Sequence, residues 1–412
     1  MFVKSLVVKC LFIVLLFPAL VHGTPRLITL RGDDLEQVKA KIQKGTPDFK
    51  VPMGLLLRSA EKTLKNNPYT VTSKTILPPS GDKHDFISIG PYIWPAITAS
   101  GKTTYTSRDG VSNPDNDKGT DGKTWGLFRS ELETVSLAWY FTNDERYGRK
   151  AAELIYTWFL NPKTRMNPNA QYAQWVPGKN SGTAVGTISV SPMARVCDSL
   201  VLMEGFSGWT TYYPDGKAGY KREMTQWMRQ YLIWLTDSPN GKNAAELKNN
   251  IGTWYQVQLA GVALYTGDKE IARRAVEKGK ILIASQIEPD GSQPLELKRT
   301  KAFSYSIYNL SAYSQLAEIA HNINMDLWNY VTPEGRSLPK AVEFLAPYRS
   351  ETMKWPYKEI SPKGMDYAGL SYISWMAYVG THNLKFKTIS QESLPKESWN
   401  MSRNRLLYLD KY

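Results

Sequence analysis

Apolar residues recur at helical spacing in one segment after another, and this pattern constrains the fold more than any other feature of the sequence. Residues three and four positions apart share one face of an α-helix, so each stripe predicts an amphipathic helix. The turn signals Asn143-Asp144 and Pro289-Asp290-Gly291 separate such stripes and predict a succession of helical hairpins. The predicted helices cover residues 147–159, 193–203, 224–235, 254–265, 270–284 and 307–323.

The predicted fold class is all-α, because strand patterns are scarce and residues 74–77 and 86–89 are the only weak candidates. The economical arrangement is an (α/α) toroid, or incomplete barrel, in which antiparallel helical hairpins bury their shared apolar faces. The longest loops, residues 78–125 and 161–192, are predicted to line a groove, since long loops in a compact domain are usually functional. A generic helical bundle or a helical repeat is the alternative.

Residues 1–23 are predicted to be a signal peptide, in which Lys4 and Lys9 flank an apolar run that ends in a small-residue segment. This predicts a secreted or periplasmic protein, with a retained N-terminal anchor as the alternative. Residues 24–412 are predicted to be a single domain, because no long Pro/Ser-rich, Gly-rich or single-charge tract divides them. Without the leader, Cys197 is the only cysteine, so no intramolecular disulfide is expected.

The chain combines a formal net charge of +13 with 13 Trp and 24 Tyr. Its basic character favours a polyanionic partner, but it has no run of consecutive Lys and Arg of the kind that binds nucleic acid. Aromatic rings stack on sugars, and Arg and Lys bind carboxylates. The predicted partner is therefore an acidic polysaccharide, with no nucleic acid and no membrane insertion. No His or Cys pair has the spacing of a metal site, and neither a metal nor an obligatory cofactor is predicted.

Sequence blocks that follow one another in a fixed order carry a family resemblance. They are residues 83–95 (KHDFISIGPYIWP), 108–114 (RDGVSNP), 164–174 (TRMNPNAQYAQ), 249–255 (NNIGTWY) and 289–306 (PDGSQPLELKRTKAFSYS). Together they resemble the alginate lyase superfamily, polysaccharide lyases with α/α-toroid folds that act on alginate or related polyuronides. The resemblance runs from about His84 to Asn309, and the combination of blocks is what makes it specific.

The resemblance implies a β-elimination and explains the residue types. The C5 hydrogen of a uronate is weakly acidic because the neighbouring carboxylate resists further negative charge, so that carboxylate must be neutralised. By the resemblance, Asn250 and Arg299 do so, and preorganised donors of this kind stabilise a transition state by roughly 3 kcal/mol each. Tyr305, after Arg299, matches the family's catalytic tyrosine, which moves protons at C5 and O4.

One position departs from the family pattern. The residue after the paired asparagines is normally a histidine, and here it is Ile251, which neither donates nor accepts a proton. Three explanations compete: Tyr305 acts as both base and acid, another residue takes over, or the protein has kept the groove and lost the chemistry. His84 is the predicted substitute, because it lies in the loop that resembles the family's substrate-binding loop.

Further residues are predicted to contact substrate along the groove by stacking or hydrogen bonding. These are Tyr92, Trp94, Tyr172, Gln174 and Asn249. Simple packing is the alternative for each of them. Glu296 and Lys298 flank the tyrosine motif, and both are expected to be solvated.

Two other classes of function stay open. A glycoside hydrolase on a similar toroid needs two carboxylates roughly 5 to 10 Å apart, and Glu131 with Glu133 cannot form the pair because residues two apart on a helix point to different faces. A carbohydrate-binding protein without activity is the other, and Ile251 is the reason to consider it.

Overall fold

The computed structural model describes residues 24–179, 182–350, 352–361, 365–393 and 403–409. The predicted signal peptide, residues 1–23, lies outside these ranges. The helices of the first half are α1 (Gly32–Gln43), α2 (Lys50–Thr63), α3 (Gly122–Thr142), α4 (Glu145–Ile155), α5 (Met193–Met203), α6 (Lys217–Asp237) and α7 (Pro239–Ala245). Those of the second half are α8 (Asn250–Thr266), α9 (Lys269–Gln286), α10 (Pro294–Leu297), α11 (Ala302–Asn322), α12 (Leu338–Leu345), α13 (Tyr367–Thr381) and α14 (Leu384–Glu392).

The prediction of an all-α fold built from helical hairpins is confirmed. Consecutive helices joined by short turns pack against each other in the pairs α3/α4, α8/α9 and α13/α14. Helix α8 also contacts α5, α6 and α11, and 13 of its 17 residues are buried. A helix that is buried around most of its circumference belongs in the interior, so α8 is the centre around which the other helices pack.

Helices α8 and α11 begin at one end of the molecule and finish at the other. At one end, Glu296 accepts hydrogen bonds from Asn250 at the start of α8, and Gln293, three residues earlier, donates to the Ser306 carbonyl near the start of α11. At the far end, the Asn322 side chain at the close of α11 donates to the carbonyls of Leu27, Ile28 and Leu30. The N-terminal segment thus lies across the end opposite to the starts of α8 and α11.

The β-structure is where the sequence predictions need correction. Residues 74–77 form no strand, because the Lys74 side chain is turned inward as a buried cation. The other candidate holds in part, as strand β1, Ile87–Ile89. Three further strands were not predicted: β2 (Ile93–Ile97), β3 (Thr103–Ser107) and β4 (Tyr172–Trp175). A proline in the middle of β2 hid its pattern, since proline is confined to edge strands.

These short strands organise the two predicted groove loops. Strand β1 pairs in parallel with β4, which ties the first loop to the second. Strands β2 and β3 form an antiparallel hairpin in which Trp94 pairs with Thr106. At the base of the hairpin, Arg108 N–H donates to the Tyr92 carbonyl at 2.9 Å. The loops are therefore ordered by backbone hydrogen bonds of their own.

A buried ion pair anchors the first groove loop. Lys74 Nζ lies 3.0 Å from the Asp121 carboxylate, and both side chains are almost completely buried. The same ammonium donates to the carbonyls of Val71, Lys83 and Asp85. Burial raises the pKa of the Asp121 carboxyl to about 6 and lowers the pKa of Lys74. A single cation thus ties three points of the loop, Lys83, Asp85 and Asp121, to Val71 ahead of it.

One helical stretch of the described chain, Ala184–Met203, is long and apolar enough to cross a membrane by composition alone. Its apolar window is 67% buried among the other helices. It includes α5, whose Cys197 is a free, buried thiol. This is the composition of a helix packed in the core of the toroid.

Candidate active site

Asn250 stands at the first position of α8 because Asn249 caps that helix. The Asn249 side chain accepts a hydrogen bond from the backbone N–H of Ile251 at 3.2 Å, as N-cap residues do. Asn250 is buried, and its backbone N–H and its side-chain amide donate to the two oxygens of Glu296 at 2.8 and 2.7 Å. A carboxylate only accepts hydrogen bonds, so Glu296 fixes which way the Asn250 amide faces.

The prediction that Glu296 is solvated is wrong, since its side chain is only 2% exposed. Burial raises the pKa of its carboxyl, while the hydrogen bonds from Asn250 and the charge of Arg299 oppose that rise. Lys298, by contrast, is exposed as expected. The burial of Glu296 could have been expected from its place in the short Pro-Leu-Glu-Leu turn, from which its side chain extends back towards the start of α8.

Tyr305 lies in the first turn of α11 and points towards the groove loop. Its hydroxyl donates to the hydroxyl of Tyr92 at 2.6 Å. Tyr92 sits at the base of the β2–β3 hairpin, so two phenols from distant parts of the sequence meet at the mouth of the toroid. Burial, first of all, and the hydrogen bond to Tyr92 raise the pKa of the Tyr305 phenol, while the charge of Arg299 acts in the opposite direction.

Arg299 stacks on the ring of Tyr305 and is clamped by Asp109. The guanidinium carbon is 3.6 Å from the centre of the ring, which is the geometry of a cation–π contact. Its Nε and Nη2 both donate to the Asp109 carboxylate. Hydrogen bonding by Arg299 lowers the pKa of Asp109 to about 2, so this carboxyl is ionised at any physiological pH.

Around this centre, Tyr308 extends the site along α11. Its ring packs against Trp254 of α8, with ring centres 5.2 Å apart, and it is 37% exposed. The positive charge of Arg129 on α3 acts on its hydroxyl. No sequence motif pointed to Tyr308, although its position one helical turn after Tyr305 places both on one face.

The structure joins Arg299, Tyr305 and Tyr92 in one cluster by direct contacts. Asn250 is connected to this cluster through Glu296, which it hydrogen-bonds and on which the charge of Arg299 acts. His84 lies elsewhere: its Nδ1 is 2.6 Å from the Arg165 carbonyl oxygen, and its backbone N–H donates to Asp82. None of its hydrogen bonds within the described residues reaches that cluster. Its role as the substitute base therefore stays a prediction that the geometry does not favour.

The remaining predicted contacts lie on the two groove loops. Trp94, in β2, donates its indole N–H to the Val111 carbonyl and has the Arg108 guanidinium 4.7 Å from its ring. Tyr172 and Gln174 lie in β4, and Gln174 has a φ of 50°. That left-handed conformation is uncommon for a residue with a side chain. Trp94 and Tyr172 are half-buried, with part of each ring open to solvent.

A chemical inventory follows from these contacts. Asn250 has two side-chain amide hydrogens, one of which is donated to Glu296, and Arg299 and Tyr305 form a cation and phenol in direct contact. The carboxylates of this cluster are both engaged, Glu296 by Asn250 and Asp109 by Arg299. The starts of α8 and α11 add partial positive charge, which favours a bound anion. Within the described residues, no group of three or more His, Cys, Asp or Glu is arranged to hold a metal ion.

Two solved structures of low sequence identity share the fold of this chain. The chain is similar to alginate lyase A1-III from Sphingomonas species A1, with a TM-score of 0.54 at 14% identity over 93% of this chain and 96% of that one. It is also similar to a variant of alginate lyase A1-III complexed with tetrasaccharide, with a TM-score of 0.58 at 14% identity over 95% and 97%. The fold is that of the α/α-toroid alginate lyases, as predicted.

A closer likeness and a family model give the family. The crystal structure of an alginate lyase from Bacteroides ovatus matches with a TM-score of 0.86 and 34% identity, over 93% of this chain and 99% of that chain. The alginate lyase family model matches residues 70–355. The chain belongs to the alginate lyase family, which confirms the resemblance seen in the sequence. No curated protein sequence gives a significant match.

Proposed function

We propose that this protein is a polysaccharide lyase that cleaves alginate or a related polyuronide by β-elimination. The observation that carries the proposal is the Tyr305 phenol, in contact with the Arg299 guanidinium and the Tyr92 hydroxyl. The family membership supports the reaction class, and a relative complexed with tetrasaccharide supports a saccharide in the groove.

The reaction needs no water and no cofactor. A base removes the C5 proton, the C4–C5 double bond forms, and the C4–O4 bond breaks as O4 takes a proton. Asn250 neutralises the substrate carboxylate while charge develops, with Glu296 holding its amide in place. Tyr305 takes the C5 proton as a phenolate and returns it to the departing O4 as a phenol, because Ile251 cannot share the work.

A single residue that removes the C5 proton and then protonates O4 acts on only one face of the sugar ring. In β-D-mannuronate and β-D-glucuronate the C5 hydrogen and O4 lie on the same face, whereas in α-L-guluronate, which differs from mannuronate at C5, they lie on opposite faces. We therefore expect purified protein to cleave polymannuronate or glucuronan and to leave polyguluronate largely intact. The measurement is the near-ultraviolet absorbance of the unsaturated product on each polymer.

The same assay distinguishes a polysaccharide lyase from a carbohydrate-binding protein without activity. The control is Ile251→His, which restores the residue type usual in the family. If absorbance appears on some polyuronide only with that variant, the native protein is a carbohydrate-binding protein. If neither form produces unsaturated ends but saturated ends appear, the protein is a hydrolase. The engagement of Glu296 and Asp109 by their partners argues against that second outcome.

The ionisation of Tyr305 predicts a pH dependence. Burial and Tyr92 raise the pKa of its phenol, so the phenolate is a minor form at neutral pH and its fraction grows about tenfold for each unit of pH. We expect kcat/KM to rise with pH through the range 6 to 9. A profile that is flat or falls across this range would exclude a phenolate base. It is best measured on polymannuronate, whose carboxylates are ionised throughout.

A further inference from the structure

Asp109 is the most heavily engaged carboxylate near the candidate active site. It accepts two hydrogen bonds from the Arg299 side chain. It also accepts the Thr300 backbone N–H at 3.0 Å and the Thr300 hydroxyl at 3.0 Å. The next residue, Gly110, has a φ of +74°, and a side chain there would collide with Thr300. The backbone is shaped to bring this carboxylate against the segment that leads into α11.

The pairing with Asp109 determines which interactions Arg299 makes. A bidentate pairing with a carboxylate fixes the plane of a guanidinium as well as its position. Held in this way, the guanidinium carbon stays 3.6 Å from the centre of the Tyr305 ring. The Nε–Nη2 edge of Arg299 is therefore committed to Asp109, and one face of its guanidinium is committed to the tyrosine. That edge is not available to a substrate carboxylate, which is the partner that the family resemblance implied for Arg299.

One loop holds Tyr305 from two sides. Arg108 N–H donates to the Tyr92 carbonyl at 2.9 Å, and Asn113 N–H donates to the Pro91 carbonyl at 2.7 Å. These bonds close the loop, so that Tyr92 and Asp109 lie close together at its base. Tyr92 meets the hydroxyl of Tyr305, and Asp109 acts on its ring face through Arg299.

We propose that Asp109 is a positioning residue that holds Arg299 flat on the Tyr305 ring, so that the cation stabilises the phenolate and does not bind the substrate carboxylate. This inference deepens the proposed function and rests on it. Asp109 itself touches no reacting atom. Its effect should appear in turnover and only through Arg299.

The kinetic test compares Asp109→Ala, Arg299→Met and the double variant on the best polyuronide substrate. A desolvated cation–π contact is equivalent to about 30-fold in rate, so we expect Asp109→Ala to lower kcat by about 30-fold with KM changed by less than about two-fold. The double variant should match Arg299→Met, because Asp109 has no effect once Arg299 is absent. Losses that multiply, or a rise in KM at unchanged kcat, would overturn the proposal.

A matched control separates positioning from anchoring of the loop. Thr300→Val removes the hydroxyl bonds to Asp109 and leaves its pairing with Arg299 in place. Its kcat should stay within about three-fold of wild type, as expected for a neutral hydrogen bond away from the reacting atoms. A loss as large as that of Asp109→Ala would mean that the loop anchor, and not Arg299, is what matters.

An NMR measurement tests the position of Arg299 without depending on turnover. Protons held over the face of a tyrosine ring are shifted upfield in an NMR spectrum, so the Arg299 side chain should show this shift in the wild type and lose it in both Asp109→Ala and Tyr305→Leu. Selective labelling of arginine and comparison with Arg299→Met assign the signal. If the shift persists in Asp109→Ala, the positioning role is wrong. If the protein cleaves no polyuronide at all, the proposed function fails while this measurement still decides the role of Asp109.

Discussion

Replacing Tyr305 with phenylalanine is expected to lower kcat on a polyuronide by about 10³-fold or more, because the hydroxyl that is assigned both proton transfers is lost and general acid–base catalysis contributes about 10²- to 10⁴-fold. The phenyl ring remains under the Arg299 guanidinium, so binding of a saturated oligosaccharide should change by no more than a few fold. Kinetics from the absorbance of the unsaturated product, together with calorimetric binding, measure the two quantities separately.

The matched control lies two turns further along the same helix. Tyr313 is fully buried, and its hydroxyl donates to Gln286 at 2.9 Å, in a polar network that also includes Asn309. Tyr313→Phe should cost about 1 kcal/mol of stability and keep most of the turnover. If Tyr305→Phe retained more than about a tenth of the wild-type rate, a different residue would have to move the protons.

Replacing Lys74 with methionine is expected to destabilise the fold by about 3–5 kcal/mol, which is the usual cost of breaking a buried ion pair. The variant leaves Asp121 as an uncompensated buried charge and deprives three backbone carbonyls of their donor. The free energy of unfolding from urea titration, monitored by tryptophan fluorescence, measures the loss.

A surface pair from the same loop is the control for Lys74. Lys118 lies 2.6 Å from Asp115, and both side chains are largely exposed. Lys118→Met should change stability by no more than about 0.5 kcal/mol, as for other solvated ion pairs. The double variant Lys74→Met/Asp121→Asn should recover part of the loss, because the orphaned charge is gone. Equal stability of Lys74→Met and Lys118→Met would contradict a structural role for the buried pair.

The helices could be predicted from the sequence because the spacing of apolar residues shows which of them share one face of a helix. Helix α11 was predicted over residues 307–323 and begins earlier, at Ala302, since the Phe-Ser-Tyr-Ser start carries no capping residue. The toroid was inferred from the succession of helical hairpins, and the family resemblance implied the same fold. The hairpin β2–β3 was not predicted because Pro95 interrupts the strand pattern of β2.

The site was predictable in its residue types and only in part in its contacts. Family motifs pointed to Asn250, Arg299 and Tyr305, and the structure brings them together. The ion pair between Asp109 and Arg299 joins residues 190 positions apart. No local sequence pattern predicts a contact between residues so far apart. Glu296 was misjudged for a related reason: a charge next to a turn is usually solvated, and here a distant amide makes its burial tolerable.

The N-terminal segment, at the end of the molecule opposite to the starts of α8 and α11, has a practical consequence. The Asp198 carboxylate accepts the backbone N–H groups of Ile28 and Thr29, and Arg31 pairs with Glu318. Residues 24–31 therefore lie on the side of the molecule away from Tyr305. An affinity tag or a surface tether attached there would leave the saccharide groove accessible to long polymers, so immobilised protein should act on high-molecular-weight substrate as freely as protein in solution.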